Sequence, residues 1–254
     1  MIVVTSLHDE AFEPLAEWTL HKNKKLYCEK HGYTLHYASD GGNEVSGLNM
    51  TVPKGESLQD TDTVIGWGKI YLMRDAMNKY PDAEWIFNAD CDTMITNMEI
   101  KLEDIVNLHT HSNTHILVPS DCNGINCGVM MIRNSPIGRA FLDTIIAGEP
   151  LYRRCSMFEN QLIQDMLVGQ WMWWGQMKPG GSCWSDVSNV LRQRVMNSYD
   201  YRNLPLLKNR PNYNDIIWGE SGQWQEGDFM IQWPATSLEY RINAAKEMYK
   251  KIVY

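Results

Sequence analysis

Glu84-Trp85-Ile86-Phe87-Asn88-Ala89-Asp90-Cys91-Asp92 joins a short apolar run at Trp85 to Phe87 to two carboxylates one residue apart. The run reads as a strand, which places Asp90 and Asp92 at the strand's carboxyl end, where α/β sheets bind their ligands. Two such oxygen ligands can chelate a hard divalent ion, Mg2+ or Mn2+, whose remaining positions accept diphosphate oxygens. The pattern D-x-D alone is weak, because a chain of this length contains roughly one by chance. Asp60-Thr61-Asp62 is a second instance, but it lies in a polar stretch with no strand before it. A phosphatase with an aspartyl nucleophile would also place D-x-D after a strand. It needs the first strand, however, and Thr or Val two residues on, where this chain has Met94.

The flanking sequence alternates strand and helix signals. Ile2-Val3-Val4-Thr5 is a β-branched strand, and helix formers from about Leu15 to Lys30 predict a helix that Gly32 stops. Tyr33 to Ala38 alternates as a second strand and ends at Ser39-Asp40-Gly41-Gly42. From Gly66 to Tyr80, Ile70, Met73, Met77 and Tyr80 share one helical face, and Pro81 closes it. His115 to Pro119, Cys127 to Arg133 and Phe229 to Trp233 are further strands; Ile137 to Ala147, Phe158 to Val168 and a segment marked by Leu238, Ile242, Ala245 and Tyr249 are helices. The alternation predicts an α/β fold with helices on the faces of a sheet. Beyond residue 170 the chain reads as loops, and seven of its ten tryptophans fall there.

A length of 254 residues is enough for a substantial core without disulfide staples. Hydrophobic residues at 44% and charged residues at 21% exclude wholesale disorder and a fibrous repeat. No run approaches the roughly 18 apolar residues of a membrane-spanning helix. A net charge of -8 argues against nucleic acid as partner, since a phosphate backbone selects for excess Lys and Arg. An acidic chain that binds a phosphorylated small molecule needs a bridging cation or a few local basic groups. The six cysteines form no C-x-x-C pair and read as free thiols of a reducing compartment. The seven histidines contain no H-x-x-x-H pair on a predicted helix, and none is assigned as a ligand.

Several pieces, in order, resemble glycosyltransferase family 34, the galactosyl- and xylosyltransferases of plant and fungal Golgi. Trp67-Gly68-Lys69-Ile70, Leu72, Tyr80-Pro81, Glu84 to Phe87 and Asp90-Cys91-Asp92-Thr93 resemble its central block. Asn23-Lys24-Lys25 with Tyr27-Cys28 and His31-Gly32-Tyr33 resembles an upstream motif, and Ile125-Asn126-Cys127-Gly128 with Ile132-Arg133-Asn134 its Leu-Asn-x-Gly block. Glu159-Asn160-Gln161 and Gly227-Asp228-Phe229 sit at two later signatures, so the match runs from about residue 1 to 241.

The resemblance implies a single GT-A type domain over residues 1–254, with a mixed central sheet flanked by helices. Residues 1–120 would form the nucleotide-sugar half and 121–254 the acceptor-binding and catalytic half. It implies Mn2+ or Mg2+ as cofactor, a nucleotide-diphosphate sugar as donor, UDP-linked by expectation, and a glycan as acceptor. Thr5 and Ser6 at the end of the first strand would meet the nucleoside. Lys69, Asp90, Cys91, Asp92, Asn126 and Gly128 would complete the donor site. Asp90, Asp92 and Gln232 would hold the metal, with Gln232 standing where the family has a histidine. Glu159, Asn160 and Gln161 would act at the reacting face, where Asn160 replaces a family carboxylate. Trp173, Trp174 and Trp218 are candidate acceptor contacts, because sugar C–H faces pack on aromatic rings; core packing is the other reading of the late tryptophans.

The expected reaction is therefore transfer of a hexose or pentose to a glycan hydroxyl with retention. Front-face departure and attack is preferred to a covalent glycosyl-enzyme. Because of Asn160 and Gln232, a non-catalytic carbohydrate- or nucleotide-sugar-binding protein on the same fold stays as the alternative, and a metal-dependent phosphohydrolase as a third reading. Golgi members carry an amino-terminal anchor, whereas this chain starts with Met inside its first strand. That predicts a cytoplasmic enzyme of a microbe or a virus-infected host cell, unless an anchor has been removed. Oligomeric state is left open.

Overall fold

The computed structural model describes residues 1–48, 65–153, 155, 157–168, 183–200 and 221–252. Asp60, Asp62, Trp171, Trp173, Trp174 and Trp218 lie outside the described residues. Strand β1 (Ile2–Leu7) is buried along its whole length and pairs in parallel with β2 (Thr34–Ala38) and β3 (Trp85–Ala89). Antiparallel β7 (Val129–Arg133) and β5 (Ile116–Asp121) extend the sheet, and β5 also carries β6 (Gly124–Ile125) and parallel β8 (Ser188–Leu191). The result is a mixed seven-stranded sheet in the order β2-β1-β3-β7-β5, with β6 and β8 on β5.

Because strand side chains alternate, this sheet feeds two cores. Val3, Ile86, Met130, Ile132, Ile116 and Val118 face α4 (Gly68–Lys79), α6 (Pro136–Tyr152) and α7 (Phe158–Val168), meeting Ile70, Met73, Met77, Phe141, Ile145 and Ile163. Val4, Trp85, Phe87, Leu117, Val129 and Met131 face the opposite way, onto Leu15, Leu20 and Tyr27. That second core also takes Met94, Ile95, Met230 and Ile231 from a small sheet in the order β4-β10-β9, made of β4 (Thr93–Ile95), β10 (Met230–Gln232) and β9 (Ser198–Tyr199).

Most predicted elements are present within two or three residues of their expected ends. The expected single helix from Leu15 to Lys30 is instead α1 (Glu13–Ala16), a π-helix over Glu17–Lys24 and α2 (Lys25–His31), ended by Gly32 at φ 71. Composition does not separate the two windings; here Lys24 Nζ donates back to the Thr19 carbonyl, 3.2 Å away. α6, whose start is capped by the Ser135 hydroxyl, runs a turn past Ala147, and Pro150 near its end leaves the helix intact. Helix α5 (Leu102–His109) and the short strands β4, β8 and β9 carry too few periodic positions to stand out in the sequence. The region expected to be loops also holds α8 (Gln193–Met196). Of the late tryptophans described, Trp233 is buried in the core, Trp224 donates to Thr96 Oγ1 and Trp184 packs edge-on to Phe141. For those three, core packing is the reading that holds. Helix α9 (Leu238–Tyr249), capped by Ser237, closes over the second core.

Candidate active site

Asp90 leaves the end of β3 into a tight turn, in which the Thr93 N–H and hydroxyl both donate to the Asp90 carbonyl at 3.1 and 2.7 Å. This turn carries the chain from the large sheet into β4 of the small one. Antiparallel pairing then sets Gln232 of β10 opposite Thr93, and the Trp233 N–H donates to the Asp92 carbonyl. The D-x-D turn thus lies where the two sheets meet, beside a cleft lined by Leu7, His8, Phe12, Ile65, Gly66, Lys69, Asp90, Cys91, Asp92 and Arg241.

Lys69, at the start of α4, lies between two carboxylates: its ammonium is 2.7 Å from Asp90 Oδ2 and 3.1 Å from Glu159 Oε1. The side chains of Lys69 and Glu159 are 5% and 4% exposed, whereas that of Asp90 is 25% exposed to the cleft. Burial alone would pull the Lys69 ammonium down, but Asp90 and Glu159 outweigh it and hold the ammonium above its ordinary range. Burial pushes the Asp90 carboxyl up to about 6 against the pull of Lys69, and the charges of Asp92 and Glu159 add to the push. On the far side, Asp92 Oδ2 is 3.6 Å from Arg241 Nη1 of α9.

A second network runs behind Asp92. The Gly128 N–H donates to Asn126 Oδ1 at 2.8 Å, so that oxygen is an acceptor; Asn197 Nδ2 also donates to it and to Gln232 Oε1. With its carbonyl held by Asn197, Gln232 turns its amide nitrogen to Asp92 Oδ1 at 2.9 Å. Asn126 in turn bonds Asp121 and Tyr199.

A family model matches residues 1–111 and 106–236, nearly the whole chain. The chain belongs to the galactosyl transferase GMA12/MNN10 family. An alpha-1,2-galactosyltransferase of Schizosaccharomyces pombe is 28% identical over 60% of this chain and 45% of its own length. Galactomannan galactosyltransferase 1 of Cyamopsis tetragonoloba is 28% identical over 51% of this chain and 27% of its own. The chain spans about half the length, or less, of these curated relatives. Among solved structures, a glycosyltransferase involved in the glycosylation of the major capsid of PBCV-1 superposes with a TM-score of 0.63 at 14% identity, covering 97% of this chain and 98% of that one. The fold is therefore of the GT-A type.

Seen as a member of the GMA12/MNN10 family, the chain brings Lys69, Asp90, Asp92, Asn126, Gly128, Gln232 and Glu159 together. Other expected residues make contacts of a different kind. Thr5 and Ser6 sit inside β1, not at its end, and their buried hydroxyls donate to Asn88 Oδ1 at 3.2 Å and the Ala89 carbonyl at 2.7 Å. They tie β1 to β3, so the strand end expected at Thr5 is at Leu7. The Cys91 side chain is buried in the second core beside Thr19. Gln161 donates to Asp165 one turn along its own helix. Asn160 accepts from the Cys127 N–H at 2.7 Å and donates to Glu159 Oε1 at 3.3 Å, so it braces the carboxylate next to it. Phe158, with φ 48, turns the chain into α7 and sets Glu159 inward.

Gln232, expected as a third ligand, has both ends of its amide in this network. It stands beside Asp92: its carbonyl accepts from Asn197 and its amide nitrogen donates to Asp92, a hydrogen bond that positions the carboxylate. The remaining donor set fits a hard divalent cation: Asp90 and Asp92 supply only oxygens, and with Glu159 they outnumber the cations Lys69 and Arg241. The upward push that Asp92 gives Asp90 is one that a cation between them would reverse.

Arg241 and Asn197 were not legible in the sequence; only the closure of α9 and the pairing of β9 with β10 bring them here. Gly128 shows how tight the arrangement is, since a Cβ there would lie 2.7 Å from Gln232 Nε2 and 2.9 Å from Asn126 Oδ1. Gly128→Ala is expected to lower stability by about 1–3 kcal/mol and to displace both amides. Urea unfolding measures the first; an unchanged midpoint would show that the network gives way freely.

Proposed function

We propose that the chain transfers a hexosyl group, galactosyl being the first to test, from a nucleotide-diphosphate sugar to a glycan hydroxyl, with a divalent cation held at Asp90 and Asp92. The observation that carries this reading is the pair of carboxylates facing a cleft between two basic side chains, Lys69 and Arg241. Family membership supports the reaction class, and the names of the galactosyltransferase relatives support the sugar.

When bound, Mn2+ or Mg2+ would offset the charge that develops on the departing diphosphate. The protein's own groups do the rest. Arg241 is free to leave its long 3.6 Å contact with Asp92 for a phosphate oxygen, and Lys69 keeps Asp90 oriented from behind. In the proposed retaining step the anomeric C–O bond to the diphosphate breaks with its electron pair going to that oxygen. The acceptor oxygen bonds the same face of the carbon, and its proton passes to the departing diphosphate. Glu159 supports the front-face route over a glycosyl-enzyme. Its Oε1 is committed to Lys69 and Asn160, and its Oε2 is buried where a Cβ on Gly66 would lie 2.6 Å away.

The orientation of Gln232 favours a second reading, a protein that binds the donor without turning it over. Release of free nucleotide from UDP-, GDP- and dTDP-sugars, with Mn2+, Mg2+ or EDTA and with acceptor glycans, separates the two. The expected result is metal-dependent release from one donor, at least ~100-fold slower in Asp90→Asn/Asp92→Asn. Donor binding with no release from any of them would sink the transferase reading and leave the binding protein.

A further inference from the structure

Outside the D-x-D turn, three side chains bring metal-ligating atoms together. His8 at the end of β1, Glu13 opening α1 and His21 in the π-helix have one ligand atom each within 4.8 Å of one another. Glu13 lies between the imidazoles, with Oε2 2.6 Å from His8 Nε2 and Oε1 3.4 Å from His21 Nε2. The nitrogens that face the carboxylate are Nε2 in both cases, each against its own oxygen of Glu13.

The three differ in rigidity in the way a loadable site requires. The His8 side chain is fully buried, and its backbone is fixed by hydrogen bonds to the Ala38 carbonyl and from the Gly41 N–H, at 3.0 and 2.8 Å. Glu13 and His21 are 54% and 30% exposed, which gives an ion a way in and lets both side chains adjust. Ligand distances of about 2.0–2.1 Å around a four-coordinate ion put neighbouring ligand atoms about 3.3 Å apart. The Glu13–His21 separation already meets that, and the exposed Glu13 needs to shift by under about 1 Å to meet it with His8.

We propose that His8, Glu13 and His21 form a binding site for a borderline divalent transition ion, with Zn2+ the type ion. Two imidazoles and one carboxylate select zinc, cobalt or nickel over magnesium, whereas the all-oxygen pair Asp90 and Asp92 has the opposite preference. His8 also lines the cleft, so the ion sits at the cleft's edge with a coordination position to spare. This site is separate from the carboxylate pair, and its test needs neither donor sugar nor turnover.

The test starts from Asp90→Asn/Asp92→Asn, which removes the other cation ligands, titrated calorimetrically with ZnCl2 and spectroscopically with CoCl2. The expected result is one zinc per chain and a visible absorption band of four-coordinate cobalt. Adding Glu13→Gln or His21→Ala weakens zinc binding by more than ~10-fold, and the exposed His111→Ala leaves it unchanged. Because Glu13 and His21 reach solvent, thermal melting of each variant should show an intact fold. Failure of the double variant to bind zinc, or equal binding by all the added variants, would overturn the proposal.

Discussion

Lys69→Met lowers the stability of the folded chain by about 3–5 kcal/mol at neutral pH, the expected result of removing one partner from a buried ion cluster. Methionine fills the space of the lysine stem, so packing is nearly conserved. What is lost is the ammonium 2.7 Å from Asp90 and 3.1 Å from Glu159, leaving Glu159 charged with its side chain only 4% exposed. Of a typical stability of about 5–15 kcal/mol, that is a large share.

The pH dependence identifies the cause. Lys69 holds the Asp90 carboxyl down against burial, so without it Asp90 rises above the value of about 6 it has in the intact site. A carboxyl with a raised folded-state pKa contributes stability fully present below its unfolded value of 3.8 and lost as pH rises through the folded one. The gap between variant and parent is therefore expected to narrow on acidification from about pH 7 to about pH 5. Urea unfolding at the two pH values measures it, and the double variant Lys69→Met/Glu159→Gln should recover at least ~1 kcal/mol. A loss below ~1 kcal/mol that ignores pH would mean that the two carboxylates find other partners.

Sequence and structure agree where local pattern is enough. β3 and its two carboxylates are legible because an apolar run followed by Asp90 and Asp92 has only one place in an α/β sheet. The face of α4 is legible because Ile70, Met73 and Met77 repeat at helical spacing. Two parts of the site are not legible for a physical reason: they depend on pairings between distant segments. The direction of the Gln232 amide follows from a chain of donors that begins at the Gly128 N–H, and residue type at position 232 does not encode it. Thr5 and Ser6 look like strand-end hydroxyls until β3 is laid beside them and takes both hydrogen bonds. The family resemblance located Asn23-Lys24-Lys25 but gave it no task, because its partners lie about seventy positions further along the chain.

That task leads to the last expected result, a loss of about 2–4 kcal/mol in Asn23→Leu. Strand β4 has one ladder partner: the register with β10 directs the backbone groups of Met94 to Ile231 and leaves those of Thr93 and Ile95 pointing the other way. No strand lies on that side among the described residues. The π-helix replaces it with side chains. Asn23 accepts from the Ile95 N–H and donates to the Ile95 carbonyl, both at 2.8 Å, while Lys24 donates to the Thr93 carbonyl at 2.7 Å and the Asp90 carbonyl at 3.1 Å. Asn23, Lys24 and Ile95 are all fully buried, so no water can take over. Leucine has the same branched four-atom skeleton as asparagine and neither of its polar groups, which strands one donor and one acceptor at about 1–3 kcal/mol each. Asn23→Asp keeps the acceptor but loses the donor, and should fall between the parent and Asn23→Leu. Because the same edge anchors the Asp90 turn, nucleotide release by the Asn23→Leu protein that remains folded should be at least ~10-fold slower at saturating donor, whereas a merely destabilised fold would recover full turnover per folded molecule. Unchanged turnover per folded molecule would confine Asn23 to stability and leave the carboxylates to be positioned by their own side-chain partners, Lys69, Asn88, Gln232 and Arg241.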